Sequence, residues 1–305
     1  MMLLRVTRHQ LRKMASMMTA EKAASTAKMG AVFGASFAAA SLSSVASAEG
    51  EKHALSPAEW RSFRVVSNEK LTHNTHKVRL EFPSENDTSG MKVASFVMAK
   101  ASLNGKNVIK PYTPTSAPTQ TGFLDLVVKG YPNGSMSKHI VELQAGDALE
   151  IKGPLMKFPY QPNTRKHIGM VAGGSGITPM LQVALEILRN PDDHTKVTLI
   201  FANNSEDDII MRDELATYER MYPGLKVIHI LSTPSESWTG LKGYVDSELL
   251  KKHLPAPSTD NLVLVCGPPG MMAAVSGGKA KDFSQGQVEG MLKELNYTSD
   301  MVFKF

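Results

Sequence analysis

From residue 60 onward apolar and polar positions alternate in short runs. Phe63, Val65 and Val66 lead into a polar turn at His73-Asn74, and Val78, Leu80 and Phe82 then alternate with charged neighbours. A polar loop at 84–90 is followed by Ser95–Leu103, Asn104-Gly105 and Val108–Tyr112. Apolar runs on both sides of Asn-Gly predict a hairpin, because both turn residues accept the positive φ that a two-residue turn imposes. Phe123, Leu124, Leu126, Val127 and Val128 predict a further strand. Met136–Leu143 reads as a short helix and Ala148–Ile151 as a last strand, ending before Gly153-Pro154. Several short strands with one helix predict a small antiparallel β-barrel over residues 55–160.

After the linker Gln161-Pro162-Asn163 the period changes. An apolar run into Gly173 precedes a helical pattern over 178–189. Then come Val197–Ala202 (strand), Met211–Tyr222 (helix), Leu225–Leu231 (strand), Ser247–His253 (helix) and Leu262–Cys266 (strand). Further helical patterns lie near 270–275 and 287–295. Strands alternating with helices predict a parallel sheet over 161–305 with right-handed crossovers. The fold class is therefore α+β with two domains, an antiparallel barrel followed by an α/β domain. Ligands on such a parallel sheet sit at the carboxyl ends of its strands.

Two loops at that edge carry candidate chemistry. The strand ending at Gly173 runs into Gly173-Gly174-Ser175-Gly176 and then Ile177-Thr178-Pro179-Met180. Strand, glycine turn and helix in that order suit an anion: glycines let the backbone approach it, and free N–H groups at the helix start face it. Pro179 fits the first helical turn, where its missing N–H costs nothing. Alone, the turn is a weak signal that also fits a tight connection with no ligand. A simple dinucleotide fingerprint would place a third glycine where Pro179 stands. The second loop is Cys266-Gly267-Pro268-Pro269-Gly270. Cys266 reads either as a small buried hydrophobe or, at a strand end beside the glycine turn, as part of a site.

Charge changes the picture only when it is located. Of the 34 basic and 29 acidic residues, six basic and one acidic fall in residues 1–48, so 28 of each remain in 49–305. The net charge of +5 belongs to the leader, which removes the main argument for a nucleic-acid partner. Residues 1–28 are rich in Arg, Lys, Met, Ser and Thr, as in a mitochondrial transit peptide. Residues 29–48 carry no charge but are mostly Ala, Ser and Gly, which makes a weak apolar anchor or a clipped sorting signal. With one cysteine, Cys266, neither an intrachain disulfide nor a cysteine metal cage can form, and no metal site is expected.

Two pieces of the barrel complete the candidates. In Lys110-Pro111-Tyr112-Thr113-Pro114 two prolines fix the backbone around an aromatic and a hydroxyl; by itself this is a rigid turn with a surface tyrosine. Gly134-Ser135-Met136-Ser137 sets a glycine and hydroxyls at a helix start, another place for a phosphate.

In order and spacing these motifs resemble the ferredoxin–NADP reductase superfamily and, within it, the NADH–cytochrome b5 reductases, mitochondrial type. The family's Arg-x-Tyr-Ser/Thr flavin motif corresponds to Lys110-Pro111-Tyr112-Thr113, and its second flavin segment to Val127-Val128-Lys129 with Gly134-Ser135-Met136-Ser137. Its pyridine-nucleotide motif corresponds to Gly173–Met180 and its Cys-Gly-Pro-Pro motif to 266–269. The resemblance covers about residues 60 to 305, with Pro191–Thr195 and Val302–Phe305 also matching. It implies a flavin-binding barrel and a nucleotide-binding α/β domain. FAD would take a hydride from NADH, and single electrons would leave to cytochrome b5 or a similar haem protein.

The same resemblance implies roles. Tyr112 would pack on the flavin and Thr113 would hydrogen-bond near its reacting edge. Val127 and Lys129 would contact the cofactor, and Lys110, Pro111 and Ser135 belong to the same site. Met136 and Ser137 would hold its phosphates. Thr178 would lie near the flavin–nicotinamide contact. Gly173, Gly174, Ser175 and Gly176 would make room for the dinucleotide, and Cys266, Gly267 and Pro268 would close the nicotinamide pocket. Thr113, Thr178 and Cys266 are thus the candidates nearest the chemistry.

Three departures from the family pattern matter. Lys110 replaces an arginine, keeping the charge but losing the bidentate fork. Ser135 replaces a lysine, and Ser232 stands where NADH-specific members carry an Asp, so NADPH is expected as a possible second donor. Alternatives are a scaffold without flavin, and a reductase serving another one-electron acceptor or a quinone. The resemblance also implies the mitochondrial outer membrane or intermembrane space, and the architecture gives no reason to expect more than a monomer.

Overall fold

The computed structural model describes residues 53–305; the leader at 1–48, with its expected targeting and anchoring roles, lies outside the described residues. The first sheet contains β1 (Arg61–Lys70), β2 (Thr75–Glu81), β3 (Ser95–Leu103), β4 (Lys106–Tyr112), β5 (Phe123–Lys129) and β6 (Ala148–Met156), with helix α1 (Ser135–Glu142) between the last two. The order is β4-β3-β6-β1-β2-β5 and every pairing is antiparallel. The edges meet: Pro114, just past β4, bridges Leu126 of β5, and Thr115 N–H donates to the Asp125 carbonyl at 2.9 Å. The sheet therefore closes as a barrel, the arrangement that leaves no edge unpaired. Asn104 and Gly105 turn the β3–β4 hairpin at φ of 50° and 73°, as the Asn-Gly signal predicts.

The barrel interior is built from the inward positions of β1, β2, β3, β5 and β6, where Val65, Val78, Leu80, Val97, Ala99, Leu126 and Ile151 are fully buried. Met136 and Ile140 of α1 plug it. One strand differs from expectation. β6 continues through Gly153-Pro154 to Met156, because the ladder to β3 shifts register between Phe96 and Met98. Such an irregularity is where a strand tolerates a proline that has no N–H to donate.

The second sheet contains β7 (His167–Gly173), β8 (Lys196–Asn203), β9 (Leu225–Leu231), β10 (Leu241–Lys242), β11 (Asn261–Cys266) and β12 (Val302–Lys304), joined by α2 (Ile177–Arg189), α3 (Arg212–Met221), α4 (Ser247–His253), α5 (Pro269–Ser276) and α6 (Gly290–Glu294). The order is β10-β9-β8-β7-β11-β12 and all pairings are parallel. Helices cover both faces. Ile168, Met170 and Ala172 pack under α2 on one side; Val171, Val263 and Val265 pack under α4, α5 and α6 on the other. Burial on both faces explains why β7 and β11 read as unbroken apolar runs. Strands β10 and β12 have two and three residues, too short to show a period. The helix expected near 287–295 forms only over 290–294.

Ala94 and Val127 of the barrel join the core beneath α2, so the two halves share apolar packing. Among the described residues no helix is long and apolar enough to cross a membrane.

Candidate functional site

Strand order reverses at β7, which has β8 on one side and β11 on the other. Both candidate loops leave the sheet there, since Ala172 of β7 pairs with Cys266 of β11. After β7 the chain makes a 3-10 turn over Gly174–Gly176 and enters α2. No side chain caps either start; the Ile177 N–H is taken by the Gly174 and Ser175 carbonyls and Pro179 has none, so the N–H groups of the 174–176 turn are the ones left for an anion. Thr178 is buried, and its hydroxyl donates to the Ser175 carbonyl at 3.2 Å. It shapes the turn through that bond.

The two loops touch backbone to backbone. A Cβ on Gly176 would stand 2.2 Å from the Cys266 carbonyl oxygen, and one on Gly267 2.3 Å from Met271 Cε. One on Gly173 would meet Pro268 Cδ and Met271 Sδ at 2.8 Å each. Only glycine permits this approach. Cys266 itself is half-buried. Burial pushes its thiol up to about 11, with the nearby Lys279 charge only partly opposing. At neutral pH it is a protonated, weakly reactive thiol that can line a pocket and does not act as a nucleophile.

On the barrel side, β4 carries Lys110 and Pro111 on its exposed surface and Tyr112 half-buried against the barrel core. Burial raises the Tyr112 phenol to about 12, so it stays neutral. Thr113 is half-buried. The next residue, Pro114, accepts a 2.8 Å hydrogen bond from Gln182 Nε2 on α2. The segment around Tyr112 and Thr113 is thereby held against the nucleotide half. Lys110 makes no ion pair among the described residues.

Gly134 precedes α1, again without a side-chain cap. Ser135 is exposed and Ser137 half-buried. A Cβ on Gly134 would stand 2.2 Å from Ser137 Oγ, and that oxygen accepts from Tyr131 N–H at 3.4 Å. Met136 is 1% exposed inside the barrel. Its side chain serves the core, and only its backbone N–H is available at the helix start.

The two glycine-led helix starts are neighbours across the seam, with Tyr131 Oη 3.4 Å from Ser175 Oγ. Val127 turns out of the barrel into the shared core. Lys129, at the end of β5, sets its ammonium 2.7 Å from Asp208 Oδ1. Asp208 also accepts from Asn74 Nδ2 at 3.3 Å and from Ser205 Oγ at 2.9 Å. Burial works against the Asp208 charge, but the Lys129 ammonium and these donors outweigh it and hold the carboxyl at about 2.

Three residues here have no local sequence signal. Asp208 lies in an acidic run that reads as a solvated turn, and Tyr131 and Asn203 belong to no motif. Asn203, at the carboxyl end of β8, is 8% exposed with neither side-chain nitrogen nor oxygen partnered. Beside it Ser232 N–H donates to the Asn203 carbonyl at 3.1 Å, and Ser232 Oγ lies 3.4 Å from Asn204 Oδ1.

This donor set fits two diphosphate cofactors. Each half supplies a glycine-led helix start with unclaimed N–H groups, and the orphaned Asn203 amide awaits a polar partner at the same edge.

The model described as an oxidoreductase FAD-binding domain matches residues 62–160, and that of an oxidoreductase NAD-binding domain matches 170–277. The chain is 48% identical over 262 residues to an NADH-cytochrome b5 reductase-like protein of Arabidopsis thaliana, covering 84% of this chain and 80% of that one. It is 48% identical over 250 residues to NADH-cytochrome b5 reductase 2 of Emericella nidulans, covering 81% and 78%. Among solved structures, the cytochrome b5 reductase domain of Ulva prolifera nitrate reductase superposes with a TM-score of 0.73 at 27% identity, covering 83% of this chain and all of that one. Barrel, parallel sheet, paired helix starts and this likeness along most of the sequence agree, and the chain belongs to the NADH-cytochrome b5 reductase family.

Proposed function

We propose that the protein takes a hydride from NADH onto FAD and passes electrons singly to a haem protein such as cytochrome b5. The observation that carries this reading is the seam between Tyr131 and Ser175. It joins one uncapped helix start from the barrel to one from the α/β half, two anion sites of the kind that two dinucleotides need. Bound FAD supplies the conversion of a two-electron donor into single electrons.

The chain's own residues bind and orient. Gly134, Ser135 and Ser137, with the Met136 N–H, would receive the flavin phosphates at the uncapped helix start, and Lys110 would add a positive charge. Tyr112, neutral across the working pH range, would pack on the ring, and Thr113 would offer its hydroxyl to it. Gly173 to Gly176 admit the nicotinamide dinucleotide, while Thr178, Cys266, Gly267 and Pro268 shape its pocket and exclude water. Val127 and Lys129 complete the flavin side. Catalysis here is positioning.

We place the enzyme in mitochondria, at the outer membrane or in the intermembrane space, on the basic 1–28 and uncharged 29–48 segments. It works as a monomer. Purified protein should reduce cytochrome b5 with NADH, and a fluorescent fusion of residues 1–48 should enter mitochondria. Absence of cytochrome b5 reduction, with flavin bound and reducible by NADH, would move the acceptor to another haem protein or a quinone. A cytosolic fusion would overturn the localisation.

A further inference from the structure

The Lys129–Asp208 pair joins the two halves in a way that their cofactor sites alone do not require. Lys129 ends β5 of the barrel, and Asp208 follows β8 of the α/β half. Their side chains are 10% and 6% exposed, so the pair sits in the seam and away from water. Asp208 is saturated from both sides. Lys129 at 2.7 Å and Asn74 at 3.3 Å reach it from the barrel. Ser205 reaches it from its own half through backbone N–H at 3.2 Å and Oγ at 2.9 Å. His73, beside Asn74, stands 3.8 Å off. Two residues past Lys129, Tyr131 meets Ser175 of the glycine turn.

We infer that Asp208 is a positioning residue. Through Lys129 it fixes the end of β5, and with it the Tyr131 segment, against the glycine turn that admits the donor dinucleotide. A neutral side chain at 208 leaves a buried ammonium without a counter-charge, and the cheapest relief is to open the seam to water. Opening displaces one helix start from the other, and misplacement of about 1 Å is enough to lose much of the benefit of orientation. The inference rests on the proposed function, since it concerns the cleft between flavin and donor.

A double-mutant cycle tests it, using Asp208→Asn, Lys129→Met and their combination in the flavin-loaded protein. The readouts are the NAD+ dissociation constant by calorimetry and the hydrogen exchange of the Tyr131 amide. Each single variant should weaken NAD+ roughly tenfold or more and speed exchange at Tyr131, while the double variant should be no worse than the poorer single. KM for NADH should rise more than kcat falls, and Asp208→Glu should recover part of the loss. If Asp208→Asn does not fold, Asn74→Ala runs the same cycle with Lys129→Met. Independent, multiplying effects would overturn the inference, as would wild-type affinity and exchange in Asp208→Asn. Wild-type protein that held neither flavin nor dinucleotide would overturn the proposed function itself.

Discussion

Gly176 and Cys266 are in backbone contact: a Cβ on Gly176 would stand 2.2 Å from the Cys266 carbonyl oxygen. Residues 90 positions apart are thus forced together at the point where the strand order of the parallel sheet reverses. This contact explains a glycine at 176 with no appeal to backbone angles, since Gly176 has an ordinary helical conformation. Gly176→Ala must push the 266–268 loop away. It should destabilise the protein by about 1–3 kcal/mol through overpacking and weaken NAD+ binding, while flavin stays bound. Thermal unfolding and calorimetric titration check the two effects separately.

Lys110 is exposed on β4, where the resemblance leads one to expect a flavin-motif arginine. Lys110→Ala should weaken FAD by ten- to a hundredfold, since a charge-assisted contact contributes about 1.5–3 kcal/mol. Lys110→Arg should keep or improve retention by adding the planar fork. Flavin content after gel filtration measures both; an alanine variant that stays fully loaded would remove Lys110 from the phosphate site.

Much of this was legible because the signals were local. The Asn104-Gly105 turn, the run into Gly173 and the helical pattern after it each depend on neighbouring residues alone, and each is present in the fold. Other features answer to distant partners. Lys129 and Asp208 are 79 positions apart, and Asp208 sits in Glu206-Asp207-Asp208, a run that looks like solvated charge. Met136 stood in a phosphate motif, yet its side chain fills the barrel, because the helix that offers N–H groups at one end must bury its other face. Strand β12 pairs with β11 over only three residues, and no alternation can appear in so short a piece. Pro154 reads as the end of β6, but a register shift lets the strand go on.

Ser232 lies half-buried at the end of β9, next to Asn204. An acid here would repel a 2′-phosphate and accept from a ribose hydroxyl. NADH should be preferred over NADPH by a modest margin, and Ser232→Asp should widen it. The ratio of kcat/KM for the two donors is the measurement, and an unchanged ratio would remove Ser232 from the ribose site.

Asp208 gives a pH signature. Its folded-state value of about 2 lies below the ordinary 3.8, so the charged form stabilises the fold. That stabilisation is fully present above about pH 4 and is lost as pH falls through 4 toward 2. The contribution is about 2 kcal/mol. Denaturant unfolding of wild type should therefore lose that much more stability across this window than Asp208→Asn, whose own stability is lower at neutral pH but flatter in acid. Parallel curves for the two proteins would contradict it.

In the proposed reaction a barrel-bound FAD receives a hydride from NADH docked at the glycine turn. The most direct measurement is the visible spectrum of the purified protein under anaerobic titration with NADH. The protein should be yellow with about one FAD per chain, bleached stoichiometrically by one equivalent of NADH, with Gly176→Ala needing far more donor. A colourless protein that takes up no FAD, or a flavin that NADH leaves oxidised, would contradict it.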